Sequence, residues 1–279
     1  MPLKTILVCL TNRATADPVL KCAVPLAREH GAHLIALHVA EALAMYPQVA
    51  MHVPDAVYTA FAKSQEIEAL ELEDIFKTHT DNEDFASEWR LVRAESDYAA
   101  DRMIESAHGA DLVMMPQAEP TDLRGDRHQA QSRVIRESGR PVIIVPHNFD
   151  GPPIGNSIVL GWTRTREASR AAHDLLSVTQ SASRISVVHV AKSTGNELAD
   201  YQSIDLAGLY ARHGLEASVV HRDRNGQDVS DVLMQYAFEQ GADLIATGAF
   251  GHSRAIDYVF GAVTRDLMKK TNVPVMFSA

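Results

Sequence analysis

Apolar positions in this chain fall into two alternating patterns. Short, almost wholly apolar runs alternate with longer segments in which apolar residues return every three or four positions. The first pattern predicts strands buried on both faces, and the second predicts amphipathic helices. In the N-terminal half, strands are expected at residues 4–10, 34–39, 89–93, 112–115 and 142–145. Helices are expected between them at 16–29, 59–79, 98–108 and 129–137, although Pro25 interrupts the first. Residues 41–58 carry Pro47 and Pro54 and read as an irregular or partly helical insertion.

The order then restarts. Residues 148–156, rich in Pro and Gly, have the character of an interdomain linker. Beyond it, strands are expected at 158–162, 185–190, 217–220, 244–246 and 275–277, with helices at 166–179, 198–213, 229–240 and 263–270. Gly109-Ala-Asp-Leu112 returns as Gly241-Ala-Asp-Leu244, and His38-Val39 returns as His189-Val190. Both halves close with a Pro followed by an apolar strand, at Pro141 and Pro274. The chain is therefore an internal repeat, with domains expected over residues 1–147 and 156–279. Each should be an α/β unit with a five-stranded parallel sheet and helices on both faces. In such sheets ligands bind beyond the carboxyl ends of the strands, where the strand order reverses. The loop after the fourth strand lies there if that strand neighbours the first.

Composition narrows the function. A formal charge of −10 over 279 residues argues against non-specific nucleic-acid binding and against an anionic membrane surface. No apolar run is long enough to span a bilayer, and the apolar core at residues 6–10 is too short for a signal peptide. A cytoplasmic protein is expected. Cys9 and Cys22 form no CxxC pair and read as small apolar residues. The thirteen histidines include no set at a metal-ligand spacing, and His38 and His189 point to a shared structural cause. Glu66 to Asp74 reads as a solvated acidic face rather than a cation site.

Candidate chemistry concentrates in residues 241–264. A buried strand runs into Gly248 and Gly251, followed by His252, Ser253 and a segment that reaches Gly261. A glycine loop leaving a strand brings backbone N–H groups close to a ligand, and a helix starting there favours negative charge. Glycines also follow strands simply because the chain must turn, so this spacing alone leaves both readings open.

The two halves resemble the universal stress protein family, and the whole chain resembles its tandem, two-domain members. Gly248, Gly251 and Gly261 reproduce the family's G-x2-G-x9-G signature for ATP-type nucleotides, and Trp162-Thr-Arg-Thr-Arg-Glu-Ala168 is similar to its first-strand exit W-D-G-S-R-E-A. The resemblance implies a Rossmann-like, adenine nucleotide alpha hydrolase-like fold forming a pseudo-dimer through the fifth strands, with a further homodimer open. It implies a stress-response regulator binding ATP or a related adenine nucleotide, with or without Mg. The phosphate and ribose positions it implies are Gly248, Gly251, His252, Ser253, Gly261, Ala262, Val263 and Thr264, with Thr163 and Val190 on the base side. Two departures stand out: Ala262 replaces the family's Ser or Thr, and Thr163 replaces the Asp that receives the adenine.

The first half departs further. Pro116, Glu119 and Gln129 stand where the three glycines stand, and proline has no N–H to offer. No nucleotide is expected at that position. No G-x-S-x-G elbow, P-loop or HExxH occurs, so at most slow ATP hydrolysis is expected and no catalytic residue is assigned. The alternative, from a different class, is a nucleotide-free structural or protein-interaction module of the same fold.

Overall fold

The computed structural model describes residues 2–41, 54–94, 98–118, 126–180, 182–191, 197–250 and 261–279. In the first repeat β1 (Thr5–Cys9), α1 (Arg13–His30), β2 (His33–Glu41), α2 (Asp55–Thr80) and β3 (Ser87–Ala94) lead to α3 (Ala99–Ala107), β4 (Leu112–Pro116), α4 (Asp126–Glu137) and β5 (Val142–Val145). The second repeat follows the same order. It runs β6 (Ser157–Gly161), α5 (Arg166–Asp174), β7 (Arg184–Ala191), α6 (Glu197–Arg212), β8 (Glu216–Asp223), α7 (Val229–Glu239), β9 (Leu244–Gly248), α8 (Ala262–Lys270) and β10 (Val275–Ser278). Of the expected insertion, residues 42–53 lie outside the described residues, and α2 starts at Asp55 rather than 59.

The strands form one ten-stranded sheet in the order β3-β2-β1-β4-β5-β10-β9-β6-β7-β8. All neighbours are parallel except β5 and β10, which pair antiparallel with Val275 opposite Ile144 and Phe277 opposite Val142. The fifth strands thus join the repeats, as the family resemblance implied, and neither is left as an open edge. β4 lies beside β1 and β9 beside β6, so the strand order reverses at those two pairs.

Residues on alternate sides of each strand feed two cores. Ile6, Val8, Leu34 and Ala36 pack with α1 and α2 residues on one face, and with Ile158, Leu160 and the α5 residues Ala168, Ala171 and Ala172. Leu7, Cys9 and Leu37 pack on the other face with Met103 and Val134, alongside Leu233 of α7 and Leu267 of α8. Cys9 and Cys22 lie in opposite cores, and burial pushes both thiols up, Cys9 to about 12. Neither is a nucleophile at neutral pH.

The repeated Gly-Ala-Asp-Leu motif now has a cause. Asp243 accepts from the backbone N–H groups of Gly155 (2.7 Å), Asn156 (3.0 Å) and Ser157 (2.9 Å), pinning the start of β6. Asp111 does the same for β1 through Lys4 (2.8 Å) and Thr5 (3.0 Å). This clamp sits at the amino ends of the strands, the edge opposite the expected site. The histidines also match: Nδ1–H of His38 donates to the Leu10 carbonyl at 2.8 Å, and that of His189 to the Trp162 carbonyl at 3.3 Å. Each ties the second strand of its repeat to the exit of the first. No described helix is long and apolar enough to cross a membrane.

Candidate functional site

At the second-repeat reversal, Gly161 of β6 stands opposite both Thr247 of β9 and Val188 of β7. Thr163 and Val190 lie two residues further out along β6 and β7, and Gly248 ends β9 beside them. The structure therefore brings the β6 exit, the end of β7 and the end of β9 to one edge. Gly251, His252 and Ser253 lie outside the described residues. On the far side of that segment, Gly261 is the N-cap of α8, and Ala262, Val263 and Thr264 form its first turn.

Gly248 and Gly261 look alike in sequence but differ in cause. A Cβ on Gly248 would meet the backbone nitrogen of Ala168 at 2.4 Å and the carbonyl carbon of Glu167 at 2.5 Å. Gly248 is glycine because the first turn of α5 lies directly on β9. Gly261 has an ordinary φ of −55°, and a Cβ there would meet only the Thr264 hydroxyl, at 3.9 Å. Neither backbone conformation nor described packing demands a glycine at 261. The amide of Arg265 makes the helix's first intrahelical bond, to the Gly261 carbonyl at 3.2 Å. Gly261 has no side chain to cap the amides of residues 262–264, and no acidic residue lies in the first turn. Ala262 is exposed, Val263 is half-buried and Thr264 is buried.

The chain bends at Ala249 and Phe250 as it leaves β9. Phe250 has φ +67°, in the left-handed region that a bulky residue rarely adopts. Residue type alone carries no signal for that turn, so sequence reasoning missed it. On the β6 side, Thr165 caps α5 by accepting from the Ala168 N–H at 3.1 Å, and Arg166 pairs with Glu167 at 2.9 Å.

The first repeat uses the matching places differently. Ser138 and Thr271 close the ends of α4 and α8 with the same hydroxyl bonds to the residue two further on. That equivalence sets Gln131 opposite Thr264, so His128, not Gln129 as the sequence suggested, stands opposite Gly261. The Gln131 amide donates to the carbonyl of Pro116 at 2.5 Å, closing the end of β4 with a buried side chain. Next to it, Gln117 donates to the carbonyls of Met268 (3.0 Å) and Thr271 (3.4 Å) and accepts from His147 at 3.1 Å. Glu119 lies outside the described residues. Among the described residues no cluster of His, Cys, Asp or Glu forms a metal site.

A doubly wound α/β repeat, with a helix N-terminus and a short glycine at its point of strand reversal, belongs to the class of folds that bind ligands at that edge. The family model of the universal stress protein family matches residues 2–146 and 157–278, and the chain belongs to that family as a tandem, two-domain member. A universal stress protein from Archaeoglobus fulgidus DSM 4304 is similar in structure, with a TM-score of 0.77 at 13% identity, covering 98% of this chain and 95% of that one. A putative universal stress protein from Pseudomonas aeruginosa UCBPP-PA14 follows with a TM-score of 0.59 at 13% identity, covering 99% and 93%. The cytoplasmic domain of a prokaryotic cation chloride cotransporter has the same fold, with a TM-score of 0.52 at 15% identity, covering 98% and 94%. A search of curated proteins found no match.

Proposed function

We propose that this chain is a cytoplasmic stress-response regulator whose second repeat binds ATP or a related adenine nucleotide, with Mg accompanying the phosphates. One observation supports the reading: Gly261, the N-cap of α8, the described helix that follows β9, is a glycine that neither its φ nor the described packing requires. The phosphates would lie against the amides of residues 261–264 and the preceding glycine segment, with Gly251, His252 and Ser253 completing the cradle. Thr163 and Val190 would line the base side. In this reading the nucleotide acts as a signal, with at most slow hydrolysis. The first repeat binds none and serves as the fixed partner through β5.

A second reading, the nucleotide-free interaction module, draws on the finding that Gly248 is explained by packing alone. One experiment separates the two. The purified protein is denatured and the supernatant run on anion-exchange chromatography, with thermal shift on adding ATP-Mg as a second measure. A stoichiometric adenine nucleotide, or a shift abolished by Gly251→Glu, supports the regulator. Neither signal in the wild type supports the interaction module. Sustained phosphate release abolished by the same substitution would make the protein a slow hydrolase. Size-exclusion chromatography with light scattering decides whether the tandem chain also forms a homodimer.

A further inference from the structure

We propose that the outer face of α2 docks a second copy of this chain, as an antiparallel, two-fold helix pair centred between Ile67 and Leu70. The proposal does not depend on the nucleotide reading. The fifth strands are already paired within the chain, so a second copy must use another surface. α2 has 26 residues, and its second half is anchored by the buried Ala69, Leu72, Phe76 and Thr80. Residues 55–68 include no buried residue, and a helix with so little packing is marginal in water. On the face turned away from the sheet, Ile67 is 48% exposed and Leu70 60%. Lys63, Ile67, Leu70 and Asp74 follow one another at steps of four, three and four residues, which aligns them along one side of the helix. Among the described residues no ion pair or side-chain hydrogen bond engages Lys63 or the Asp74 carboxylate.

The order of these four residues is self-complementary. A two-fold axis between Ile67 and Leu70 sets Ile67 against Leu70 of the second copy and Lys63 against Asp74 of the second copy, with both pairs repeated by symmetry. Two ion pairs then flank an apolar centre made of Ile67 and Leu70 from each chain. Parallel pairing would set Lys63 against Lys63 and Asp74 against Asp74, so charge selects the antiparallel arrangement. The helices overlap over residues 57–80, about 36 Å at the α-helical rise. Neighbouring carboxylates are already offset: Glu71 pairs with Arg13 at 3.4 Å, and Glu73, which would face Glu66 of the second copy, pairs with Lys77 at 2.7 Å. α6 provides an internal comparison. Leu206 and Tyr210 fill the core places of Leu72 and Phe76, so Ile204 matches Leu70 and is 57% exposed. Glu197 and Gly208 stand at the places of Lys63 and Asp74, so α6 lacks the charge order. The second copy therefore docks on α2 and not on α6.

The test is sedimentation equilibrium of the full-length protein, with circular dichroism to confirm that each variant is folded. The wild type should form a reversible dimer with a Kd of roughly 10–100 µM, as suits a small interface. The double variant Ile67→Ser, Leu70→Ser should be monomeric at about ten times that Kd. Lys63→Asp and Asp74→Lys should each weaken the dimer by about tenfold or more, because each sets like charges against one another. Combining the two should restore the wild-type Kd to within about threefold, since the swap rebuilds both ion pairs in reverse. Ile204→Ser should change nothing. A wild type that stays monomeric through this range overturns the proposal. So does a dimer that survives the Ile67→Ser, Leu70→Ser substitution or is lost in Ile204→Ser, since either places the contact elsewhere. Single charge variants without loss, or a double swap that fails to restore it, refute the antiparallel register and with it the proposal.

Discussion

Substituting Gly248 by Ala tests whether this glycine serves the fold or a ligand. The added Cβ would stand 2.4 Å from the Ala168 nitrogen, 2.5 Å from the Glu167 carbonyl carbon and 2.9 Å from the Ala168 Cα, where ordinary contact begins near 3.4 Å. The gap must therefore open by about 1 Å (3.4 − 2.4). Every one of these atoms is backbone, so no side chain can swing aside. α5 cannot retreat freely either, because Thr165 caps it and Ala168, Ala171 and Ala172 are buried against the sheet. Overpacking of this kind costs about 1–3 kcal/mol, and a contact made wholly of backbone belongs at the upper end. At about 2–4 °C per kcal/mol for a domain of this size, the expected fall in Tm is roughly 6–12 °C. Gly261→Ala is the control: its Cβ meets one hydroxyl at 3.9 Å, so the cost should stay below about 1 kcal/mol, set by N-cap preference. Urea denaturation and calorimetry give the stabilities, and titration with ATP-Mg gives the affinities. Gly261→Ala should lose affinity while keeping its midpoint. A Gly248→Ala protein with the wild-type urea midpoint would refute the close-approach argument.

Asp243→Ala should cost about 3–4 kcal/mol, since three backbone donors lose a buried carboxylate, whereas Asp111→Ala, with two donors in an exposed setting, should cost about 1–2 kcal/mol; equal losses in urea titrations would contradict this. Burial pushes the Asp243 carboxyl above its ordinary value, and the three N–H bonds oppose that without cancelling it. The folded state then holds the proton more tightly than the unfolded one, so this stabilisation is present at acid pH and is lost as pH rises through the raised pKa. Asp243→Asn should accordingly cost more at pH 4 than at pH 7, and the opposite order would be decisive against it. Gln117→Ala removes two bonds to the end of α8 and should destabilise by about 2 kcal/mol, measured by the same titrations. A midpoint within error of the wild type would show those bonds to be idle.

Much of this fold is legible in the sequence because strands buried on both faces must be apolar along their whole length. β1, β4, β5 and β10 were all visible for that reason. The edge strands were not bounded well. β3 runs over Ser87–Ala94 and β8 over Glu216–Asp223, beyond the expected 89–93 and 217–220. Apart from the buried Ala94, the residues that extend them are polar and half-exposed or exposed, and pairing with β2 and β7 sets their length rather than burial. The helix expected over 166–179 ends at Asp174 and tightens into a 3-10 turn, Leu175–Ser177. At the site, spacing gave Gly248 and Gly261 equal weight, because a glycine does not reveal which neighbour its missing Cβ would strike. The repeated Asp was likewise visible as a motif but silent about its partners, which lie 86–107 residues away in the chain.

The asymmetry between the repeats has a physical consequence for the position of α8. α8 directs its N-terminus toward the second-repeat edge, and its position decides where those amides sit. The other end of α8 is held by the first repeat, whose Gln117 bonds the carbonyls of Met268 and Thr271. Those carbonyls lie at the helix end, where intrahelical partners run out. The residue at the matching place after β9 is Ala249, which has no side-chain donor to return. Gln131 completes the exchange by bonding Pro116, so the first repeat fills its own edge with glutamine side chains. Two identical open edges would leave both N-terminal helix turns anchored only by their own repeat. Closing one edge with amide groups fixes the helix of the other across the β5–β10 seam. The first repeat thus acts on the second-repeat edge through structure, by holding the far end of α8.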